Sequence, residues 1–291
     1  MKNNSGNKFR NYLQLSRLTI MAPVSLTGFT GYFIFNPHFS INLVLVSLGI
    51  FFMAISASSL NQIQEVGFDS KMNRTFDRPI PSGRIKLKSA VFFSLCNLFA
   101  GLFIIYSFGN ILAALIGFFT IFWYNGIYTY SKRITAFAVV PGALTGALPP
   151  LIGWIAAGGG IWDKPIVFLE FLFFIGQIPH FWLLILNYGD EYNKAGIPNL
   201  TNIFKADQIS RLTFTWVLTS VFAAIFLCYF EIIMSGPVIV ILVIASIYLV
   251  WEFSILLKKG VDKKTYKKYS LLLDSYFLLV LVLLIIDRII D

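Results

Sequence analysis

The chain has 291 residues, of which 57% are hydrophobic and 13% charged, and its formal net charge is +9. Soluble globular proteins average about 45–50% apolar and about 25% charged residues, so the composition excludes a soluble enzyme, a disordered chain and a collagen-like chain. Cys96 and Cys228 are the two cysteines, and they form no C-x-x-C pair. Neither a zinc site nor a disulfide framework is therefore indicated.

Nine apolar segments follow one another along the chain, and each is long enough to cross a bilayer as a helix, which takes roughly 20 residues. We predict spanning helices over residues 17–36, 41–61, 88–108, 110–130, 134–157, 165–187, 210–231, 236–257 and 269–288. No internal repeat or low-complexity linker separates them, so residues 1–291 are predicted to form a single domain. The expected fold class is an all-α polytopic membrane protein with nine transmembrane helices.

The basic residues lie almost entirely on one side of this arrangement. All but two of the 23 Lys and Arg residues precede the first span or fall near the loops that join spans 2–3, 4–5, 6–7 and 8–9. The opposite side carries only Lys164 and Arg288. Because cytoplasmic loops are enriched in Lys and Arg, we predict that the N-terminus lies inside and the C-terminus outside. Two long polar loops, 62–87 and 188–209, would then face the cytoplasm.

The end of the second span carries the strongest signal for a site. Asn61, Glu65 and Asp69 are four residues apart, a spacing that keeps side chains on one face of a helix. Two carboxylates and an amide oxygen suit Mg²⁺, which typically binds one or two carboxylates together with substrate phosphates. Arg74 and Arg78, also four apart, suit bidentate binding of phosphate or carboxylate. The alternative is a solvated helix end whose charges only meet water.

The loop after the sixth span holds a second acidic group on the same side of the membrane. It contains Asp190 and Glu191, with Lys194 one helical turn after Asp190. Gly196 and Pro198 are predicted to end any helix that continues here. Alone this pattern is weak, but together with the first motif it indicates the two halves of a site that binds a metal and a diphosphate.

Two further places have open interpretations. Lys132 and Arg133, after the fourth span, either only orient the protein or hold a diphosphate or a propionate. His180 lies inside the sixth span, ten residues before Asp190, which corresponds to about 15 Å along a helix. It is either a packing residue or a contact to a large buried substrate.

Other residues inside the spans are better explained by architecture. Gly142 and Gly146 form a G-x-x-x-G pattern, which predicts a close helix contact, and Pro149–Pro150 predicts a kink. Three acids also fall in apolar runs without an identifiable partner in the sequence: Glu170, Glu252 and Asp274.

Four stretches together resemble the UbiA superfamily of intramembrane prenyltransferases and, within it, the haem O synthase branch. They are residues 61–79, 128–135, 146–154 and 179–198. The resemblance implies a helical bundle around a central cavity that is capped by the two polar loops. It also implies transfer of a farnesyl group from farnesyl diphosphate to a vinyl group of haem b, with water added and diphosphate released.

The resemblance further implies roles for individual residues. The cofactor would be Mg²⁺, held through Asn61, Glu65, Asp69 and Asp190. The catalytic residues would be Asn61, Glu65, Asp69, Arg74, Arg78, Lys132 and Asp190. The substrate-binding residues would be Arg133, His180, Tyr192 and Lys194, with His180 a candidate ligand of the haem iron.

The implied partners are farnesyl diphosphate, haem b and the lipid bilayer, with haem A synthase or the assembly of a terminal oxidase as candidate protein partners and no nucleic acid. We expect a bacterial cell (inner) membrane location with the motif loops in the cytoplasm. The sequence departs from the superfamily pattern at Glu65, where many members have Asp, and at Lys194, where a second acid is common.

Two alternatives remain open at the level of sequence. One is a UbiA-type prenyltransferase that acts on an aromatic quinone precursor such as 4-hydroxybenzoate. The other is a transporter of an anionic substrate. The segment around His180 and residues 72–75 favour haem, and the lack of an internal repeat argues against a transporter, since transporters often consist of two related halves.

Overall fold

The computed structural model of the protein describes residues 4–290, so residues 1–3 and 291 of the predicted single domain lie outside it. The described chain is helical, without strands. Its α-helices are α1 (Asn4–Ser16), α2 (Leu18–Phe35), α3 (Ile41–Gln64), α4 (Val66–Asp69), α5 (Leu87–Phe108), α6 (Ile111–Phe122), α7 (Thr129–Ser131), α8 (Val139–Ala156), α9 (Lys164–Ala195), α10 (Ala206–Tyr229), α11 (Gly236–Phe253) and α12 (Lys263–Ile290). A π-helix, Trp123–Tyr128, joins α6 to α7, and 3-10 helices occur at Leu200–Asn202 and Ser254–Leu257.

Within residues 4–290, nine helical segments are long and apolar enough to cross a membrane. They are α2, α3, α5, α6 together with the π-helix and α7, α8, α9, α10, α11 together with its 3-10 turn, and α12. Their outward faces carry large exposed apolar side chains such as Phe92, Phe103 and Ile247, which suit a surface in contact with lipid tails. The predicted all-α class and the predicted number of spans are confirmed.

Four helices, α3, α9, α10 and α12, extend beyond the predicted spans into segments that the sequence assigned to loops, and α9 and α12 extend farthest. The span predicted over 165–187 belongs to α9, which continues to Ala195 through most of the polar acidic motif. It ends at Gly196, as predicted, where φ is 78°, a left-handed conformation that favours glycine. Similarly, α12 begins at Lys263 rather than at 269. Hydropathy marks where a helix meets lipid and carries no information about how far the helix continues into water.

α2 and α8 approach each other through small residues. A Cβ atom on Gly31 would lie 2.0 Å from the carbonyl oxygen of Pro150, and one on Gly153 would lie 1.9 Å from the carbonyl oxygen of Gly28. Only glycine allows two helix backbones to come this close. The first span is therefore fixed against the middle of the bundle.

α8 also contacts the two elements that carry site residues. A Cβ atom on Gly142 would lie 2.6 Å from the ring of Tyr128 in the π-helix, and one on Gly146 would lie 2.8 Å from the side chain of Gln177 in α9. The close contact predicted from these two glycines is confirmed. α8 thus holds the π-helix and α9 at a fixed separation.

Candidate active site

The first motif lies where α3 ends at the loop side of the bundle. α3 stops at Gln64, Glu65 leaves the helical conformation with φ −102° and ψ 7°, and α4 follows as a single turn. The helix is therefore not continuous to Asp69. The Asn61 side chain is 3% exposed, and its Nδ2 donates to Thr129 Oγ1 at 3.1 Å. The amide oxygen of Asn61 accepts no hydrogen bond from the described residues and remains available as a ligand.

Each acid of the first motif is paired with a predicted cation. Asp69, whose side chain is 1% exposed, accepts from Arg78 Nη1 at 2.6 Å, and Glu65 forms an ion pair with Lys132. The Lys132 ammonium also lies 4.9 Å from the ring centroid of Tyr128. Burial raises the pKa of the Asp69 carboxyl, although the neighbouring Arg78 acts in the opposite direction. Burial disfavours the ionised form of a carboxyl, and a bound cation stabilises that form.

Arg133 connects the segment after the fourth span to the end of α3. Its Nη2 donates to the carbonyl oxygen of Gln64 at 2.7 Å, and its guanidinium lies 5.3 Å from the Phe68 ring and 4.8 Å from the Tyr130 ring. These contacts hold it in place, so they explain its position without a substrate. Its predicted substrate-binding role stays a prediction.

The π-helix contributes a second connection to α3. The Asn125 side chain donates from Nδ2 to Gln64 Oε1 at 3.0 Å, and Gln64 Nε2 donates to the Asn125 carbonyl oxygen at 2.9 Å. Short π-helical turns are rare and occur frequently at functional sites. Here the turn precedes Thr129, the residue that bonds to Asn61. Sequence periodicity does not reveal this turn, which is why Asn125 and Thr129 were missed.

The loop after α4 is tied to the polar end of α9 through Arg74. The Arg74 backbone N–H donates to Glu191 Oε2 at 3.1 Å, and Arg74 Nη2 donates to the Tyr192 hydroxyl at 3.4 Å. The guanidinium also lies 4.9 Å from the centroid of the Tyr188 ring. The structure therefore brings the two predicted halves of the site together at Arg74, with Glu191 rather than Asp190 making the contact.

Asp190 and Lys194 lie away from this contact. Asp190 is exposed and pairs with Lys263 at the start of α12, and Lys194 is exposed without an ion pair to any described residue. Among residues 4–290, no three His, Cys, Asp or Glu side chains come together as a metal-binding group. The metal role of Asp190 and the substrate role of Lys194 stay predictions.

Arg17 is a site residue that sequence reasoning did not single out. It has a left-handed backbone conformation, with φ 50° and ψ 47°, and it lines a cavity of about 200 Å³ together with Gln62, Arg74 and Arg78. Burial lowers the pKa of the Arg17 guanidinium, and the nearby Arg78 and Arg74 lower it further. Three guanidinium groups around one cavity favour an anion. In the sequence, Arg17 stands at the edge of the first span, where it resembles a basic residue that only sets the orientation of the protein in the membrane.

A second cavity, of about 80 Å³, lies between the 4–5 segment and α9. Its wall includes Lys132, the aromatic side chains of Tyr128, Phe181 and Tyr192, and the indole of Trp182. The rings of Tyr128 and Phe181 pack edge to face with their centroids 5.9 Å apart. The cavity thus has a cation at one end and an aromatic, apolar wall, which suits an apolar chain attached to an anionic head.

Two of the three acids inside the spans, Asp274 and Glu252, have partners among the described residues. His180 Nδ1 lies 2.7 Å from Asp274 Oδ1, so a polar contact joins α9 and α12 within their apolar segments. Glu252 Oε2 accepts from Lys268 Nζ at 3.0 Å and from the Tyr269 hydroxyl at 3.1 Å. The pairing of His180 with Asp274 could not be seen in the sequence because the two residues are 94 positions apart.

Comparison with known proteins identifies the family of this chain. The profile of the UbiA prenyltransferase family matches residues 24–281. The chain belongs to the UbiA prenyltransferase family. It is therefore a prenyltransferase and, with nine apolar helices among its described residues, an integral membrane protein.

Two curated relatives match almost the whole chain. A protoheme IX farnesyltransferase of Legionella pneumophila (strain Paris) is 33% identical over 287 residues, which cover 96% of this chain and 95% of the relative. One of Nitratidesulfovibrio vulgaris (strain DP4) is 30% identical over 275 residues, which cover 94% of this chain and 93% of the relative. The sequence-based recognition of a UbiA-type protein is confirmed.

Solved structures share the fold. A digeranylgeranylglyceryl phosphate synthase superposes with a TM-score of 0.77 at 24% identity, covering 98% of this chain and 99% of its own. A UbiA homologue from Archaeoglobus fulgidus bound to GPP and Mg²⁺ superposes with a TM-score of 0.65 at 14% identity, covering 94% of this chain and 99% of its own.

The donor atoms at the first motif fit Mg²⁺. Glu65 and Asp69 supply carboxylates and Asn61 supplies an amide oxygen without a hydrogen-bond donor, which are the hard oxygen ligands that Mg²⁺ prefers. Lys132 and Arg78 pair with these two acids in the structure. A metal would take over that neutralisation and release the two cations toward a substrate phosphate.

Proposed function

We propose that this protein transfers a farnesyl group from farnesyl diphosphate to a vinyl group of haem b in a Mg²⁺-dependent reaction. The observation that carries the proposal is the contact between the two polar segments at Arg74 and Glu191, together with the pairing of Arg78 and Lys132 with the acids of the first motif. The names of the curated relatives support farnesyl diphosphate and haem as the substrates. The homologue bound to GPP and Mg²⁺ supports the metal and a prenyl diphosphate.

The proposed reaction begins with ionisation of the donor. The bond between the allylic carbon and the diphosphate oxygen breaks, and its electron pair leaves with diphosphate. When bound, Mg²⁺ would act as a Lewis acid that stabilises charge on the leaving group. Asn61, Glu65 and Asp69 would hold it, with Asp190 as a further proposed ligand.

The cations of this chain stabilise the leaving diphosphate. Arg78 and Lys132 are released from their acids when a metal replaces them, and Arg74 is already oriented by its stacking on Tyr188. Arg17 adds a third guanidinium at the same cavity. Charges that are oriented before the reaction stabilise a dissociating transition state without reorganisation.

The aromatic cavity beside Lys132 receives the prenyl chain. The faces of Tyr128 and Phe181 stabilise the allylic cation, because aromatic rings attract a cation over the face. The π-electrons of the haem vinyl form the new carbon–carbon bond, and water adds to the resulting cation with loss of one proton. Arg133, Tyr192 and Lys194 are proposed to bind the substrates near the loops, and His180 is proposed to contact haem deeper in the membrane.

We also propose that the protein functions as one domain in a bacterial cell membrane, with the motif loops and the N-terminus in the cytoplasm and the C-terminus outside. This orientation is supported by the distribution of Lys and Arg. Farnesyl diphosphate is water-soluble at its head, so a cytoplasmic loop side gives it direct access to the cations.

The test is an acceptor assay with the purified protein in lipid nanodiscs. Mg²⁺ and farnesyl diphosphate are supplied with haem b or with 4-hydroxybenzoate, and products are identified by mass spectrometry. We expect a hydroxyethylfarnesyl haem, which is lost in Asp69→Asn and retained in Asp207→Asn, a partly exposed acid near the start of α10. A prenylated benzoate instead would assign the protein to the quinone branch. Full activity of Asp69→Asn would refute the metal site.

A further inference from the structure

Six exposed lysines lie close together between the end of α11 and the first turns of α12. Two of them are already paired, Lys263 with Asp190 and Lys268 with Glu252. The remaining four form no ion pair with any residue from 4 to 290, and we call them the lysine surface: Lys258, Lys259, Lys264 and Lys267. Positive charge that is concentrated in this way, without acids to neutralise it, favours an anionic partner outside the chain.

The backbone that carries the lysine surface is held in place. Asp262, the single acid between residues 258 and 268, accepts from the backbone N–H of Thr265 at 2.8 Å and from the Thr265 hydroxyl at 2.5 Å. The Gly260 backbone N–H donates to Asp207 Oδ1 at 3.2 Å. The carboxylate of Asp262 is therefore used in this turn, and the lysines project from an ordered segment.

The lysines of α12 lie on the face of the helix that suits contact with lipid. Lys264 and Lys267 precede Leu271 by seven and four residues, and steps of three, four and seven residues keep side chains on one face of a helix. The same spacing continues through the large exposed apolar side chains of α12, which are Leu271, Leu278, Val282, Ile286 and Ile289. Ser275 lies within this face, and its hydroxyl donates to the Leu271 carbonyl oxygen at 2.8 Å. The lysine surface is thus continuous with a lipid-facing surface.

The length of this apolar face sets the depth of the lysines. Leu271 and Ile289 are 18 positions apart, or about 27 Å along an α-helix, which is close to the roughly 30 Å hydrocarbon core of a bilayer. Lys267 lies about 6 Å beyond Leu271 along the axis, and Lys264 about 10 Å beyond it. Because lysine side chains extend their ammonium groups toward the polar interface, these two lysines lie at the level of the lipid headgroups.

The end of α11 gives the same level independently. Lys268 Nζ lies 3.0 Å from Glu252 Oε2, so the first turns of α12 lie beside the last turn of α11. Next to Glu252, Trp251 is exposed, and so is Tyr248, whose ring centroid is 6.3 Å from that of Trp251. Trp and Tyr are enriched where a membrane protein crosses the membrane–water interface. Exposed aromatic side chains on one helix and lysines on the next therefore mark the same interface.

We propose that the lysine surface binds the headgroups of anionic phospholipids in the adjacent leaflet. Charge complementarity favours this occupant, and a phospholipid can contact the lysines with its headgroup and the apolar face of α12 with its chains. Groups of four or more Lys or Arg directly beside a spanning helix are typical of anionic lipid binding. Lipid binding here concerns how the protein is held in its membrane and does not depend on the proposed reaction.

The experiment uses purified full-length protein that is delipidated in detergent and titrated with phosphatidylglycerol or phosphatidylcholine of matched chains. Native mass spectrometry measures the fraction of protein with bound lipid. The wild type should bind phosphatidylglycerol at least several-fold more tightly. Lys264→Gln combined with Lys267→Gln should weaken phosphatidylglycerol binding about 10- to 30-fold, since each lysine near a charged surface contributes roughly fivefold. Binding of phosphatidylcholine should not change.

Two further variants separate this surface from net charge. Lys71→Gln combined with Lys86→Gln removes the same charge from two exposed lysines of the loop between α4 and α5, and it should bind phosphatidylglycerol as the wild type does. Lys264→Arg combined with Lys267→Arg keeps the charge and should retain most of the affinity. A phosphatidylglycerol with a photoreactive headgroup should crosslink to residues 258–271 of the wild type.

Three results would overturn the proposal. The first is equal affinity of the wild type for phosphatidylglycerol and phosphatidylcholine. The second is a loss of affinity in the Lys71 and Lys86 variant as large as that in the Lys264 and Lys267 variant, which would reveal attraction by net charge alone. The third is displacement of phosphatidylglycerol from the wild type by farnesyl diphosphate, which would assign the lysines to the prenyl donor. Selective loss in the Lys264 and Lys267 variant, together with the crosslink, supports the proposal.

Discussion

Arg78 Nη1 lies 2.6 Å from Asp69 Oδ2, and the Asp69 side chain is 1% exposed. The intervening turn is held by Thr75, whose hydroxyl donates to the Asp69 carbonyl oxygen at 2.8 Å. A buried carboxylate therefore has a cation of the same chain as its partner. Arg78 also lines the cavity that we propose binds the diphosphate. The same residue can therefore neutralise either Asp69 or the diphosphate.

The first prediction concerns this ion pair. Arg78→Ala leaves Asp69 buried without a cation, a change that typically costs about 3–5 kcal/mol. We expect a lower melting temperature in detergent without divalent ions. Mg²⁺ should recover more of the melting temperature in this variant than in the wild type, because it supplies the missing charge. The measurement is a thermal shift with and without Mg²⁺.

The control for that experiment is Arg84→Ala, since the pair of Arg84 with Asp77 is largely exposed. Its melting temperature should respond to Mg²⁺ as the wild type does. If Arg78→Ala showed the same Mg²⁺ response as Arg84→Ala, Asp69 would not be a metal ligand.

The second prediction concerns Lys132, which pairs with Glu65 and lies over the Tyr128 ring. Lys132→Gln should lower kcat by about 10²–10³-fold, the usual effect of removing one group that stabilises charge in a transition state. Lys132→Arg keeps the charge and should retain part of the activity. Lys71→Gln, at an exposed lysine in the loop after α4, should leave kcat unchanged. If kcat fell only a few-fold in Lys132→Gln, Lys132 would serve only to orient the protein in the membrane.

The third prediction concerns the junction at Arg74. Arg74→Lys keeps the charge but loses the planar stacking on Tyr188, a contact worth about 0.5–1 kcal/mol at an exposed site. KM for the prenyl diphosphate should therefore rise about two- to fivefold, with a smaller change in kcat. Steady-state kinetics would measure both. An unchanged KM, equal to that of the exposed Arg211→Lys control, would show that the junction does not position the donor.

The architecture was largely predictable because the bilayer imposes a simple constraint on sequence. Runs of about 20 apolar residues must be helices in lipid, and that rule gave all nine spans. It also explains the errors at α9 and α12, which extend into water with polar residues. No lipid acts on those turns, so hydropathy could not show that they are helical.

The site was predictable only where its residues are close in sequence. The four-residue spacing of Asn61, Glu65 and Asp69 identified the first motif, although a break at Glu65 separates α3 from α4. The pairing of Glu65 with Lys132 depends on how two distant segments pack. Arg17 was missed because the cavity that it shares with Arg74 and Arg78 forms only when segments distant in sequence pack together.

The fourth prediction tests the packing that supports the site. Gly153→Ala would place a Cβ atom 1.9 Å from the Gly28 carbonyl oxygen, so α2 and α8 would have to separate. Such overpacking typically costs about 1–3 kcal/mol, and occasionally more. Gly236→Ala is the control, because a Cβ there meets nothing within 4 Å. The melting temperature in detergent should fall in Gly153→Ala and stay within error in Gly236→Ala. Equal values would contradict the backbone contact.

The last prediction concerns Asp190, which pairs with Lys263. If Asp190 moves to the metal when substrate binds, Lys263 competes with Mg²⁺ for the carboxylate. Lys263→Ala should then lower the Mg²⁺ concentration needed for half-maximal activity, whereas Asp190→Asn should raise it. Lys264→Ala removes a neighbouring charge without removing the pair and should leave this concentration nearly unchanged. If Asp190→Asn has the Mg²⁺ dependence of the wild type, Asp190 is not a ligand, and its contact with Lys263 only fixes the start of α12 against the end of α9.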